Sequence, residues 1–262
     1  MCSQQGAIMK ILRNSFKERL ISGRHQLGLW NAIPGPVVSE LLAHTGFDWI
    51  VVDTEHSPIE VSGALPALQA LATVPDVGAV VRPAANDVVL IKRHLDQGAQ
   101  TLLIPQVQSA EEASAAVSAM RYPPRGGRGV AGLHRASLYG AIPDYITAAE
   151  AELCLIVQIE TATALDRLEA IATVEGVDGI FIGPSDLSAS MGYPGELDHP
   201  EVRSAIDGAI DRAKAVGVPI GILATGQDTA AAHIARGTSF TAVGLDVGIL
   251  ANGARALRAA FN

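Results

Sequence analysis

Short apolar runs and amphipathic stretches alternate along the whole chain. Eight runs read as strands: QLGLW (26–30), DWIVVD (48–53), GAVVRP (78–83), TLLIPQ (101–106), LCLIVQIE (153–160), GIFIGP (179–184), PIGILA (219–224) and FTAVGLD (240–246). Each is brief and almost continuously apolar, the mark of strands covered on both faces in a parallel sheet. Between them the pattern becomes helical: VVSELLAHTG, SGALPALQALAT, DVVLIKRHLDQG, SAEEASAAVSAM, ATALDRLEAIATV, EVRSAIDGAIDRAKAVG, DTAAAHIARG and a closing VGILANGARALRAAF. Gly46, Gly98, Gly217 and Gly237 stand where helix C-caps belong, and Asp87, Ser109 and Asp228 where N-caps belong.

Eight β-then-α units in 262 residues predict an α/β protein of one domain, a (β/α)8 TIM barrel over 1–262, with 1–9 as a disordered extension. An open doubly wound sheet is the competing arrangement, but no Gly-x-Gly-x-x-Gly follows the first strand. One connection stands out. From Arg121 to Pro143 the chain is rich in Gly, Pro and Arg, and so long a loop is expected to cover a barrel end or meet a neighbouring subunit.

Composition narrows the partners. A net charge of −8 offers no basic footprint for nucleic acid or an anionic membrane, so an anionic substrate must be captured by local features. Cys2 and Cys154 are too few for a disulfide framework and point to a reduced, cytoplasmic protein. The N-terminus lacks an apolar signal region, and no apolar run approaches the ~18 residues of a membrane span.

The polar residues then fall into place. Active sites of such barrels lie at the carboxyl ends of the strands. Here those ends carry Trp30, Asp53 to His56, Arg82, Gln106, Gln158 with Glu160, Ser185-Asp186, Ala224 and Asp246. Acids at strand ends need a partner. Glu160 and Asp186 read as oxygen ligands of Mg²⁺ or Mn²⁺ (Co²⁺ as a substitute), with a structural ion pair to an arginine as the alternative. In GPSDLS, the backbone amides of Ser185 and Asp186 open a short helix and suit a carboxylate, although either side chain could simply cap it. Arg82 is placed to polarise a ketone and hold the resulting enolate, or else to pair with Glu160 or Glu55. His56, three residues after Asp53, reads as an acid/base group backed by a carboxylate. The other six histidines lie on helices, in loops or at a strand's inlet end. Trp30 and Leu223 are candidate walls for a second substrate, or plain packing. Lys10, Lys17, Lys92 and Lys214 all avoid the strand ends, which excludes a Schiff base. These residues predict metal-assisted enolate chemistry on a small 2-oxo acid with no organic cofactor.

The segments GLW (28–30), GFDWIVVDTEHSP (46–58), VVRP (80–83), RYPPRGGRGV (121–130), VQIET (157–161), VEGVDGIFIGPSDLSASMGYPG (174–195) and AVGLD (242–246) resemble the HpcH/HpaI family of class II pyruvate aldolases. That family includes 4-hydroxy-2-oxoheptanedioate and 2-dehydro-3-deoxyglucarate aldolases. The resemblance runs from about Asn14 to Phe261. It implies a barrel assembled as a homo-hexamer, a trimer of dimers, with the last helix exchanged between subunits. It implies Glu160 and Asp186 as metal ligands, Arg82 on the keto oxygen, a His56–Asp53 acid/base dyad acting directly or through a metal-bound water, and Gln158 and Glu55 in support. The substrates it implies are a 2-oxo acid, pyruvate or hydroxypyruvate, and an aldehyde. Two departures stand out: Thr54 replaces the family's usual glycine, and Gly129 to Ser137 is short. The second bears on His134 and Arg135 as contacts for the distal part of the substrate. Oxaloacetate decarboxylation, an acyl-CoA lyase, a phosphosugar isomerase and a non-catalytic 2-oxo-acid binder are the rival readings.

Overall fold

The computed structural model describes residues 9–261. Apart from Met9, the expected N-terminal extension lies outside them, as does Cys2. All eight strands form: β1 (Gln26–Asn31), β2 (Trp49–Asp53), β3 (Gly78–Arg82), β4 (Thr101–Ile104), β5 (Cys154–Ile159), β6 (Gly179–Ile182), β7 (Ile220–Leu223) and β8 (Phe240–Leu245). They close into one parallel barrel in chain order, β8 returning to β1. Pro83, Pro105 and Pro184 fall just beyond strand ends, where a missing N–H stops the ladder.

Alternation along each strand sorts residues into two cores. Trp49 and Val51 of β2, Val80 of β3, Leu103 of β4, Cys154 and Ile156 of β5 and Phe181 of β6 meet inside the barrel. Ile50, Val52, Val81, Leu102, Ile104, Leu155, Val157, Ile159, Ile180 and Ile182 pack outward beneath the helices. Side chains two apart share a face. The inward rows therefore continue to Asp53 on β2, Arg82 on β3, Gln158 and then Glu160 on β5, and Gly183 after β6. The acids and the guanidinium of these rows lie in the top layer, while at the amino end the inward Gln26 and Thr101 are hydrogen-bonded by Arg19 and Asn14.

A helix that the apolar pattern did not predict, Ser15–Ile21, plugs the amino end. The Asn14 side chain caps it by accepting the Lys17 N–H. Its Phe16 ring meets Trp49 and Phe240 edge-on, with centroids 5.6 and 5.3 Å apart. Gly28 and Gly221 make room for those rings: a Cβ at either would lie 2.1 or 2.2 Å from an atom of Trp49 or Phe240.

Elsewhere the helices follow the expected order, with local corrections. Asp87 and Ser109 cap their helices by side-chain acceptance, whereas Asp228 sits inside the first turn of Gln227–Arg236 and Gly226 is the N-cap. ATALDRLEAIATV divides at Arg167 into Ala162–Asp166 and Leu168–Ala172. The helix Ala110–Met120 returns the chain to the amino end, so the long loop after it covers that end, before β5 begins. There Arg128, fully buried, pairs with Asp96 at 2.7 Å and lies over the Tyr122 ring. Arg135 is spent on the carbonyls of Gln97 and Leu68 and borders a cavity of about 70 Å³. Within the chain, His134 and Arg135 therefore lie at the barrel's amino end, away from the carboxyl ends of the strands. The closing helix Asp246–Ala259 buries only Asp246, leaving Val247, Ile249, Leu250 and Leu257 exposed. Among the described residues no helix is long and apolar enough to cross a membrane.

Candidate active site

Asp53 and Arg82 end adjacent strands in direct register. Arg82 donates through Nε to Asp53 Oδ1 at 2.9 Å and through Nη2 to Oδ2 at 2.7 Å. Its Nη1 lies 2.8 Å from Glu55 Oε2, and its Cζ lies 5.2 Å from the centre of the Trp30 ring. The guanidinium is thus held on three sides, with N–H groups to spare. Burial pushes the Asp53 carboxyl up, but the hydrogen bonds and charge of Arg82 outweigh it and hold it below the usual range. Burial works against the Arg82 charge as well, and Asp53, Glu55 and Glu160 more than restore it.

The expected His56–Asp53 dyad does not form between side chains. Asp53 Oδ1 accepts the backbone N–H groups of Glu55 and His56, at 3.0 and 3.4 Å, and its remaining capacity goes to Arg82. The tight turn this makes carries the His56 ring outward, where its Nε2 lies 3.8 Å from Glu55 Oε2. Burial raises the Glu55 carboxyl, reinforced by Asp53 and Asp186 and opposed by Arg82 and His56. Thr54 fills the turn. Its hydroxyl and its N–H both donate to the Arg82 carbonyl, at 2.7 and 3.0 Å. Behind it, 3.5 Å from that hydroxyl, His94 is held neutral with a pKa of about 4 by burial and by Arg93.

Glu160 stands one step beyond β5. Its Oε1 accepts the Gln106 N–H at 2.7 Å and its Oε2 accepts from the Gln158 amide. Gln106 supplies that N–H from a left-handed backbone, φ 56°, a conformation that costs a non-glycine residue about 1–2 kcal/mol. Gly183 closes over the same carboxylate: a Cβ there would lie 2.6 Å from Glu160 Oε2 and 2.9 Å from Gln158 Nε2. Asp186 follows in the first turn of the helix Pro184–Ser190, whose N-cap, Gly183, makes no side-chain hydrogen bond. Burial raises the Glu160 carboxyl against the donors Gln106 and Gln158, and the negative charges of Glu55 and Asp186 add to it.

These observations suit a divalent cation. Burial and the charge of Asp186 raise both the Glu55 and the Glu160 carboxyls, Gln158 Oε1 is buried without a partner, and every donor is a hard oxygen. Among the described residues no three His, Cys, Asp or Glu side chains form a ready-made cage, so two protein carboxylates would leave coordination open.

Some candidates are placed differently from expectation. Trp30 is 3% exposed and packs against Trp49 and Phe181, so it is the floor beneath Arg82 rather than a free wall. Leu223, half-buried at the end of β7, lines the inner core's upper edge. Lys17 bonds the Leu153 carbonyl at the amino end, and Lys92 and Lys214 lie on outer helices. Sequence reasoning overlooked the backbone of Gln106 and the missing side chain at Gly183. The one available signal was a Pro or Gly at each strand end.

A carboxyl mouth with one pinned guanidinium facing clustered acids defines a (β/α)8 enzyme for an anionic carbonyl compound. The chain belongs to the HpcH/HpaI aldolase/citrate lyase family, whose model matches residues 26–253. It is 57% identical to a pyruvate aldolase of Rhizobium etli, over 97% of this chain and 99% of that one. It is 50% identical to a hydroxypyruvate/pyruvate aldolase of Sagittula stellata, over 97% and 100%. A crystal structure of an HpcH/HpaI aldolase/citrate lyase family protein from Burkholderia cenocepacia superimposes with a TM-score of 0.91 at 37% identity, covering 95% of this chain and all of that one.

Proposed function

We propose that this chain is a metal-dependent aldolase that reversibly cleaves 4-hydroxy-2-oxo acids into pyruvate, or hydroxypyruvate, and an aldehyde. The observation that carries this reading is the buried Arg82 guanidinium beside Glu55 and Glu160 at one barrel mouth, with Asp186 close enough to act on both acids. The names of the relatives at 50–57% identity support the same substrates.

Each residue has a task. Glu160 and Asp186 would hold Mg²⁺ or Mn²⁺ (Co²⁺ as a substitute), and that ion would supply Lewis-acid polarisation of the 2-oxo acid. The amides of Ser185 and Asp186 receive the substrate carboxylate, and Gln158 Oε1 is free to accept from bound water. In the cleavage direction a base takes the proton of the C4 hydroxyl, the C3–C4 bond breaks, and the aldehyde leaves. The bond's electron pair forms the enolate C2–C3 double bond, and the carbonyl pair moves onto oxygen, where Arg82 donates. His56 then returns a proton to C3, giving pyruvate. In the synthetic direction His56 takes that C3 proton instead. The decisive assay mixes the enzyme with a 4-hydroxy-2-oxo acid and follows pyruvate. Release that is abolished by a chelator and restored by Mn²⁺ supports the reading, and release indifferent to the chelator refutes it.

We also propose that the enzyme is cytoplasmic and that the exposed apolar face of the closing helix packs on a neighbour in a homo-hexamer, a trimer of dimers. Removing residues 246–262 should convert the assembly to smaller species by sedimentation. A truncated chain that still sediments as a hexamer would overturn this packing.

A further inference from the structure

Gln106 is a strained choice for its position. Between Pro105 and the fully buried Val107 the backbone turns left-handed, φ 56°, and so aims the Gln106 N–H at Glu160 Oε1, 2.7 Å away. Glycine would supply the same N–H and adopt that backbone without a steric cost, and asparagine or aspartate would adopt it more readily than glutamine. The N–H therefore explains the conformation but not the side chain. That side chain is exposed at the carboxyl end of β4, and among the described residues its amide makes no hydrogen bond. Gln108, two residues on, instead accepts the Thr161 hydroxyl at 2.6 Å. Strain retained where an easier residue would serve points to a function of the side chain itself.

We propose that Gln106 is a specificity-determining residue on the aldehyde side of the site, and that its amide binds the hydroxyl of a 2-hydroxyaldehyde. This rests on the aldolase reading and names its second substrate class. The oxygens of the 2-oxo acid already have their places, the carboxylate on the Ser185 and Asp186 amides and the ketone on Arg82. The aldehyde is left as the partner with unmet polar groups. A primary amide both donates and accepts, as a hydroxyl does, so the two can pair in either sense. A second carboxylate would only accept, and it would meet the charges of Glu55, Glu160 and Asp186. The cations nearby are engaged: Arg82 is held by Asp53 and Glu55, while Arg167 donates to the Gln108 carbonyl and acts on Glu111. Because the Gln106 N–H is fixed on Glu160, its side chain is rooted beside the residue expected to hold the ion.

The test is aldol addition of pyruvate to glycolaldehyde and to propanal by the intact, Mg²⁺-loaded enzyme. The two aldehydes differ by a hydroxyl in place of a methyl, and pyruvate carries no hydroxyl of its own. Gln106→Met keeps the length of the side chain and removes its amide. It should lower the ratio of kcat/KM for glycolaldehyde to that for propanal on the order of tenfold, the worth of one hydrogen bond. Any disturbance of Glu160 through the shared backbone affects both aldehydes alike and cancels in the ratio. Gln106→Gly keeps the N–H and takes the left-handed turn freely, so it guards against misfolding of the longer variant, and it should lower the ratio as far. Succinic semialdehyde, which ends in a carboxylate, should show no such drop against propanal. An unchanged glycolaldehyde-to-propanal ratio in either variant, or a drop confined to succinic semialdehyde, would overturn the assignment and leave the aldolase reading intact. So would a wild-type enzyme that exchanges pyruvate C3 protons in deuterium oxide yet accepts neither aldehyde. A wild-type enzyme that does neither would remove both readings.

Discussion

The guanidinium of Arg82 grips both carboxylate oxygens of Asp53, at 2.9 and 2.7 Å, across strands that pair these two residues in register. Little of either side chain reaches solvent, so the pair is both a structural bond and a fixed donor array for the substrate. Arg82→Lys should lower kcat on the order of 10²-fold, because an ammonium cannot reproduce the planar fork that Asp53 and Glu55 hold. Asp53→Ala should in addition cost about 3 kcal/mol of stability by taking the two-pronged partner from a buried cation and leaving it Glu55 alone. Steady-state kinetics and urea unfolding check the two; near-normal turnover in Arg82→Lys would remove Arg82 from the chemistry.

Glu160 is expected to be a site where function costs stability. Its carboxyl is raised by burial and by neighbouring acids, so the folded state binds its proton more readily than the unfolded chain. Between the unfolded and folded pKa values stability therefore falls as pH rises, and the full penalty is present above the folded pKa. Glu160→Gln should raise the Tm of the metal-free enzyme at pH 7 by roughly 2 °C, about 1 kcal/mol. Its carbonyl oxygen keeps the Gln106 N–H, and its new NH2 takes the place of Oε2, so the Gln158 amide must turn over to accept from it through the otherwise unpartnered Oε1. The gain should vanish in acid, where Glu160 is already neutral. Divalent metal should raise the wild-type Tm and leave that of the variant unmoved, and turnover should fall on the order of 10²-fold. A metal-free Tm that drops at pH 7 would contradict this account.

Gly183 has an ordinary φ of −94°, so alanine suits its backbone and only the site objects. The new methyl would press on Glu160 Oε2 and Gln158 Nε2 from within 3 Å. Gly183→Ala should cost about 1–3 kcal/mol by overpacking. Because a displacement of about 1 Å at a reacting centre is worth on the order of 10²-fold, activity should suffer far more than folding. Thermal melts beside pyruvate-release assays separate the two, and equal losses in Gly28→Ala and Gly183→Ala would not fit.

No lysine among the described residues stands at a strand's carboxyl end. Borohydride added with pyruvate should leave activity intact and add no mass to the protein, since no imine is there to be reduced. A mass increase matching a reduced pyruvyl adduct would reverse the mechanistic class.

The barrel and the identity of its polar mouth were legible in the chain itself. Strand period is two, so once DWIVVD and LCLIVQIE are read as strands, Asp53 and Glu160 must share the inward face with Trp49 and Ile156. Pro83, Pro105 and Pro184 marked the strand ends because proline cannot extend a ladder. Pairing between side chains was not legible. Asp53 is three residues from His56 and twenty-nine from Arg82, yet the parallel register brings the distant one to its oxygens. Local spacing favoured the dyad, but a buried guanidinium competes more strongly for a carboxylate than an exposed ring does. The long loop posed the same problem. Its composition announced importance, but only the direction in which Ala110–Met120 runs assigned it to the barrel's amino end. Hydrophobic periodicity is a local property and determined the elements, whereas ion pairing depends on three-dimensional proximity and awaited the closed barrel.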